Sequence, residues 1–437
     1  MKAVNIGLIG LGTVGSGTLQ VLARNSAEIS RRAGRDIRVT HAAVRDLNKD
    51  RGVDLTGIEL TDDPMSVVNN NDVDIVVEVI GGEDIARDCV LRAIENGKHV
   101  VTANKALIAL HGNTIFANAQ EKGTTVAFES AVAGGIPIIK SIREGLSANR
   151  IEWLAGIING TCNYILTKME RGGEDFADVL AEAQALGYAE ADPSFDIDGI
   201  DAAHKLTILA SIAFGVPLQF DKVYIEGITG IALEDIRYCE ELGYRIKHLG
   251  IARQREEGVE LRVHPTLIPK EQMLANVDGV MNAALIQSDA VGPTLYYGAG
   301  AGAEPTASAV VADLVDVVRA LTTDPENRVP HLAFQPDALS DLPVISMDDV
   351  VSSYYLKVSV VDRPGVLAAI TRVFADQDIS IDSMIQKGED KDQNQSVKII
   401  MLTHQTTEGQ LNAAKSAIAQ LDSMRGDIVS IRMEKLS

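Results

Sequence analysis

The chain is short of cysteine, of positive charge and of long apolar runs, and each shortage excludes something. Its 437 residues include three cysteines, Cys89, Cys162 and Cys239. The number is odd and none forms a C-x-x-C pair. Neither a disulfide framework nor a zinc site is encoded, which fits a reducing compartment and a cytoplasmic enzyme. Forty Lys and Arg stand against 61 Asp and Glu, giving a net charge of −21 and a pI near 4.8. A field of that sign disfavours nucleic acid and anionic membrane surfaces, but says nothing about small ligands, which feel local charge. No apolar run reaches the length of a membrane span. The opening MKAVNIGLIGLGTVGSG has the lysine and apolar stretch of a signal peptide, but its glycine spacing argues for another use.

What is there reads as an α/β protein of two or three domains, because 437 residues exceed one ordinary core. Val4 to Ile9 is a short apolar run, followed by Gly10-Leu-Gly12-Thr13-Val14-Gly15 and by apolar residues at helical spacing from Ser16 to Arg32. Further strands are expected at Ile37 to Val44, Val73 to Ile80, His99 to Thr102 and Thr124 to Phe128. Helices are expected at Asp84 to Asn96 and Ala106 to Lys122. Apolar strands alternating with amphipathic helices predict a Rossmann-type, doubly wound parallel sheet over residues 1–130. Residues 131–320 then read as a second, α+β domain, with a strand at Ile151 to Ile158 holding the single Trp153 and helices at Phe176 to Leu186 and Ile200 to Phe214. Pro325, Pro330, Pro336 and Pro343 fall within nineteen residues of a chain with 13 prolines, marking 321–350 as a linker. Residues 351–437 carry strand, helix, strand, strand, helix, strand, the ferredoxin-like βαββαβ order, and are expected to be a separate domain.

Gly10-x-Gly12-x-x-Gly15 sits where a dinucleotide fingerprint requires, after a strand and opening a helix. Gly10 allows the tight turn, Gly12 lets the backbone approach a pyrophosphate, and Gly15 lets helix and strand pack closely. Alone the motif is weak; in this context it predicts a nucleotide site formed by Gly10, Gly12, Thr13, Val14 and Gly15. The second strand ends in Val44-Arg45-Asp46. An acidic residue there holds the ribose 2′-hydroxyl of NAD, whereas an arginine favours the 2′-phosphate of NADP. Arg45 comes first, so NADP(H) is the expected preference, with NAD(H) tolerated. Lys105, in Thr102-Ala-Asn104-Lys105, ends a strand on the edge that faces the ligand crevice.

Five carboxylates crowd residues 190 to 201, in EADPSFDIDGID, and Lys205 follows. A calcium loop counted from Ser194 needs a bidentate glutamate at its twelfth position, and Lys205 stands there instead. On the helix from Ile200, Asp201 and Lys205 are four apart and share a face. That is an ordinary ion pair by itself, but a lysine among carboxylates can also be held and tuned as a proton donor. The carboxylates of Glu190, Asp192 and Asp196 can grip a substrate ammonium. Asn159-Gly-Thr-Cys162-Asn-Tyr164 leaves two readings open, a small polar turn lining a pocket or a thiolate nucleophile at Cys162.

The set GLIGLGTVG, TANK, ESAVAGGIP, NGTCNYI, GYAEADPSFDIDGIDAAHK and YGAGAGAEPTASAV, in that order over roughly residues 5 to 320, resembles the homoserine dehydrogenases. Val361-Asp-Arg-Pro-Gly-Val-Leu367 within the βαββαβ unit resembles an ACT regulatory domain. The resemblance implies NAD(P)-dependent interconversion of L-homoserine and L-aspartate 4-semialdehyde, on the way to threonine, methionine and isoleucine. It implies Lys205 as proton donor and Lys105 in contact with cofactor and substrate. Glu190, Asp196 and Asp201 would bind substrate, and Gly187 and Gly302 would lie near the cofactor. Glu129, Val132, Gly134 and Ile136 would hold sodium, mostly through carbonyls. Threonine is the expected effector of the tail, and a homodimer or homotetramer the expected assembly. Two other readings stand beside it: an acylating semialdehyde dehydrogenase using Cys162, and a ligand-sensing protein without turnover.

Overall fold

The computed structural model describes residues 2–388 and 396–436. The expected domain ends at 1 and 437 lie outside the described residues. The first sheet is built from β1 (Val4–Ile9), α1 (Thr13–Arg24), α2 (Ser26–Ala33), β2 (Ile37–Ala43), β3 (Glu59–Thr61), α3 (Pro64–Asn69), β4 (Ile75–Glu78), α4 (Asp84–Glu95), β5 (His99–Thr102), α5 (Lys105–Lys122) and β6 (Val126–Ala127). The strands are all parallel, in the order β3-β2-β1-β4-β5-β6. The order reverses at β1/β4, which opens a crevice at the carboxyl ends of those strands.

The single helix expected from Ser16 to Arg32 is two. Asn25, with φ −109° and ψ 17°, separates α1 from α2. The apolar periodicity runs through the break, which is why it does not show in the pattern. Neither β3 nor α3 is signalled by apolar repeats. α3 had a local signal, because Asp63 accepts from the Met65 N–H as N-cap and Pro64 follows at the first helical position.

The second sheet begins after α6 (Ile138–Lys140). It uses β7 (Ile151–Ile157), α7 (Gly160–Gly172), α8 (Phe176–Ala185), α9 (Ser194–Ile197), α10 (Ile200–Phe214), β8 (Tyr224–Ile225), α11 (Leu233–Glu241), β9 (Tyr244–Gln254), β10 (Val259–Pro269), β11 (Met281–Ser288), β12 (Gly292–Ala299) and α12 (Ala303–Ala320). The tail supplies β13 (Val351–Val361), α13 (Val366–Asp376), β14 (Ile381–Gly388), β15 (Ser396–Thr403), β16 (Thr406–Thr407), α14 (Glu408–Ala419) and β17 (Val429–Met433).

Three features of packing add to the domain plan read off the sequence. α12 returns to the first sheet: Ala307, Val310, Leu314 and Val317 share a core with Ile6, Leu8, Ile75 and Val77. A Cβ on Gly17 would lie 2.6 Å from the Ala303 carbonyl oxygen, so α1 and α12 approach as closely as glycine allows. The proline-rich stretch packs against the body as a strap. His331 stacks on Phe116 at 4.9 Å and Val344 bridges to Val259. The ferredoxin-like unit folds as expected but does not stand apart. Its strands β17-β13-β15-β14 continue the second sheet, because β17 pairs in parallel with β10. Ion pairs, most of them buried, close that seam. Arg432 on β17 binds Glu408 of α14 and Glu226 after β8, both at 2.6 Å, and Arg262 on β10 binds Glu434 at 2.6 Å. Periodicity reports which face of a strand is apolar, not which partner the strand finds, so the continuation was not legible.

Candidate active site

At the crevice, the three glycines divide their work. Gly10 has φ 103°, a left-handed value that disfavours any side chain. A Cβ on Gly15 would lie 2.1 Å from the Gly10 carbonyl oxygen, whereas one on Gly12 would meet nothing within 4 Å. Gly15 is therefore needed by the fold itself, and Gly12 faces open space at the start of α1. This is the cradle that a dinucleotide pyrophosphate fits. Thr13 and Val14 form the first turn of α1. Gly302, φ 122°, caps α12, whose next residue, Ala303, abuts Gly17 of α1. Arg45 is exposed past the end of β2. The neighbouring Asp46 carboxylate accepts from the Asn48 N–H, and Arg51 donates to the Asp46 carbonyl.

The next two strand ends are tied by a carboxylate that the motif reading passed over. Glu78, fully buried at the end of β4, accepts from the Ile80 N–H at 2.9 Å and from the Thr102 hydroxyl at 2.6 Å. Burial raises its pKa, against the opposing pull of the Thr102 and Ile80 bonds. Thr102 Oγ1 in turn accepts from the Asn104 N–H, and Asn104 caps α5 by accepting from the Leu107 N–H. Lys105 is thus the first residue of a helix whose start is pinned from below.

Across the crevice, α10 presents Asp201 and Lys205. Gly199 starts it with φ 89°, pressed against His248. Asp201 carries two ammonium groups: Lys205 Nζ lies 2.7 Å from Oδ2 and Lys105 Nζ lies 3.0 Å from Oδ1. The pair four apart on one helix is therefore part of a triad spanning the two sheets. Lys205 Nζ also donates to the Ile158 carbonyl at 2.8 Å. Burial alone would raise the Asp201 pKa; Lys205 and Lys105 overcome this and hold the carboxyl well below the usual range. Burial works to lower Lys105, but Asp201, then Asp196 and Glu190, carry it upward.

The five carboxylates separate by role. Asp196 turns inward, and its pKa is raised by burial and by Asp201. Asn159 Nδ2 bridges it to Asp201, at 2.7 and 2.8 Å, and Thr161 Oγ1 donates to its other oxygen at 3.1 Å. Asp192 turns outward and accepts from the N–H and hydroxyl of Ser194. Asp198 is exposed. Glu190 is exposed on the loop that follows Gly187, close enough for its charge to act on Lys105. Asn159 is the residue that sequence reasoning undervalued. Its side chain caps α7 through the Cys162 N–H while holding both inward carboxylates, and the cap signal alone was visible.

The nucleophile reading of Cys162 fails on accessibility. Its thiol is fully buried, lies 3.2 Å from the Asp196 carbonyl oxygen, and is pushed well above its ordinary pKa by burial and by Asp196. A thiolate nucleophile needs the opposite environment.

Glu129, Val132, Gly134 and Ile136 lie in a buried turn where Ala133 has φ 48°. Both Glu129 carboxylate oxygens accept main-chain N–H groups, from Ile139 at 2.9 Å and Lys140 at 2.8 Å, and its own N–H donates to Asp313. Among the described residues no group of three or more His, Cys, Asp or Glu is placed to hold a metal. One carboxylate with carbonyls suits a weakly charged, hard cation rather than a transition metal.

A glycine-cradled dinucleotide crevice facing a lysine–carboxylate pocket defines a nicotinamide-dependent oxidoreductase. Residues 10–129 match the NAD-binding domain of homoserine dehydrogenase, residues 137–315 the homoserine dehydrogenase family, and residues 354–423 the ACT domain. Over 437 residues, all of both chains, the protein is 61% identical to a homoserine dehydrogenase of Pseudomonas aeruginosa and 55% to one of Neisseria gonorrhoeae. A crystal structure of a homoserine dehydrogenase from Thiobacillus denitrificans is 63% identical, with TM-score 0.96, covering 100% of this chain and 99% of that one. A hyperthermophilic archaeal homoserine dehydrogenase solved with NADPH is 29% identical, with TM-score 0.61, over 72% of this chain and 98% of its own. The chain belongs to the homoserine dehydrogenase family.

Proposed function

We propose that the chain interconverts L-homoserine and L-aspartate 4-semialdehyde, with NADP(H) preferred and NAD(H) accepted, in threonine, methionine and isoleucine biosynthesis. The observation that carries this is the Lys205–Asp201–Lys105 triad placed between the two sheets, with Lys205 held at two points. The nicotinamide, when bound, supplies or accepts the hydride. In the reducing direction Lys205 gives a proton to the oxygen of the former aldehyde as charge develops there, and Lys105 stabilises that charge. In reverse, Lys205 takes the hydroxyl proton. Asp201 fixes both ammonium groups, and Asp196 and Glu190 attract the substrate's α-ammonium. Gly10, Gly12, Thr13, Val14, Gly15, Gly187 and Gly302 line the cofactor. Arg45, exposed while Asp46 is engaged in its own turn, favours a 2′-phosphate, in keeping with the NADPH held by the archaeal relative. Glu129, Val132, Gly134 and Ile136 would hold sodium as a structural charge under α6. A cytoplasmic site fits this chemistry.

The tail is proposed to sense threonine, in a homodimer or homotetramer. Because β17 pairs with β10 and Glu434 partners buried Arg262, truncation at residue 348 would expose the edge of β10 and leave Arg262 with Glu260 as its one carboxylate. Regulation is better tested on the full chain. Absorbance at the NAD(P)H band is followed with L-homoserine and either NADP or NAD, with and without threonine. Faster reduction of NADP and slowing by threonine are expected. No reduction of either cofactor by folded protein would refute the assignment.

A further inference from the structure

The two lysines of the triad are not held equally. Lys205 is 12% exposed and has two acceptors, Asp201 and the Ile158 carbonyl. Lys105 is 34% exposed and reaches Asp201 from the other side of the crevice through a single ion pair. A four-carbon stem with one acceptor keeps much of its rotamer freedom, so a second contact is needed if the ammonium is to stay aimed. One is present. The Lys105 Nζ lies 5.5 Å from the centroid of the Phe195 ring, within reach of a cation–π interaction.

Phe195 has an environment that suits this use. It is 39% exposed at the mouth of the pocket, more than a core packing role explains. Its backbone belongs to α9, and the next residue, Asp196, is anchored by Asn159 and Thr161. Its ring rests on His204 at 5.5 Å, and His204 rests on Phe220 at 4.3 Å. The buried His204 is kept neutral, its pKa lowered to about 4 by burial, so the stack places no further positive charge behind Lys105.

We infer that Phe195 is a positioning residue, its ring face holding the Lys105 ammonium over the crevice against Asp201. This rests on the role proposed for Lys105. Phe195→Leu keeps apolar bulk and removes the ring face. It should lower kcat/KM for homoserine by about 3- to 30-fold, the range of a partly to fully desolvated cation–π contact, with the melting temperature unchanged. Phe195→Trp should restore activity. Replacing Phe195 by mono-, di- and trifluorophenylalanine should lower log kcat/KM stepwise, since fluorine drains the ring face without changing its packing. In a Lys105→Met background, Phe195→Leu should cost nothing further.

A flat fluorination series, or a Phe195→Leu effect that persists undiminished without Lys105, would overturn the inference while leaving the Lys105 assignment intact. Full activity of Lys105→Met itself would overturn both.

Discussion

Asp201→Asn is the perturbation that reaches furthest, because one carboxylate neutralises two lysines. At about 3 Å and an effective dielectric of about 20, each ion pair is worth roughly 5 kcal/mol of direct attraction, most of it offset by desolvation. What the variant exposes is the uncompensated remainder. Removing one partner of a buried pair costs about 3–5 kcal/mol. Here Lys205 keeps the Ile158 carbonyl and Lys105 the Phe195 face, so the lower end is expected. If about 3 kcal/mol of this is felt in the transition state, kcat/KM falls by about 10²-fold. Losing the anion removes the charge that carries the Lys105 pKa upward, so any limb of the kcat/KM–pH profile that reports Lys105 should move to lower pH. For stability the sign follows from the depressed Asp201 pKa. Its contribution is present above the unfolded carboxyl value of about 3.9 and is lost as pH falls through the lower, folded value. The stability gap between wild type and variant should therefore be full at neutral pH and close only in strong acid. Steady-state kinetics from pH 6 to 10 and urea unfolding at pH 7 and pH 3 measure both. A variant within threefold of wild type, with an unmoved limb, would refute the shared-carboxylate reasoning.

The glycines of the fingerprint should separate by assay. Gly12→Ala should leave urea stability unchanged and weaken cofactor affinity by tenfold or more, because its Cβ enters only the open cradle. Gly15→Ala should destabilise the protein by about 1–3 kcal/mol, because its Cβ meets the Gly10 carbonyl. Equal effects of both on urea midpoints would contradict this division. His331 gives a pH prediction. Its Nε2 accepts from the Val126 N–H, and burial, with Arg143 and Arg328 nearby, lowers its pKa to about 4. The unfolded chain protonates near 6.5 while the native state does not, so this histidine withdraws about 1.4 kcal/mol per pH unit as pH falls from 6.5 towards 4. His99 and His204, each also lowered to about 4, act over the same window, so the comparison is with His331→Phe. The variant's stability should fall less steeply with acid, and parallel slopes would contradict the argument.

Much of this was legible because local chemistry fixes it. Strand, glycine turn and helix announced the first sheet, since only glycine fits at Gly10 and Gly15. The spacing of Asp201 and Lys205 on one helix face was a matter of helical geometry. What escaped was long-range. Nothing about Lys105 in sequence says that it meets Asp201 across the crevice. The apolar pattern of α12 is the same whichever sheet it covers, and it covers the earlier one. β17 carries Arg432 into a seam with Glu226 and Glu408, a partnership set by sheet continuation rather than by any repeat. Glu78 was hidden because a lone glutamate closing an apolar strand carries no pattern, although its hydrogen bonds join the two loops that lead to Lys105.

The proposed role of Lys205 is to move the proton that accompanies hydride transfer. Its most direct test is the rate of NADP reduction by L-homoserine in wild type and Lys205→Met, with circular dichroism and cofactor affinity measured on the same samples. The wild type should reduce NADP readily and the variant should lose about 10²- to 10⁴-fold, the range for removing a general acid–base group. Near-normal turnover by a folded, cofactor-binding Lys205→Met protein would contradict it.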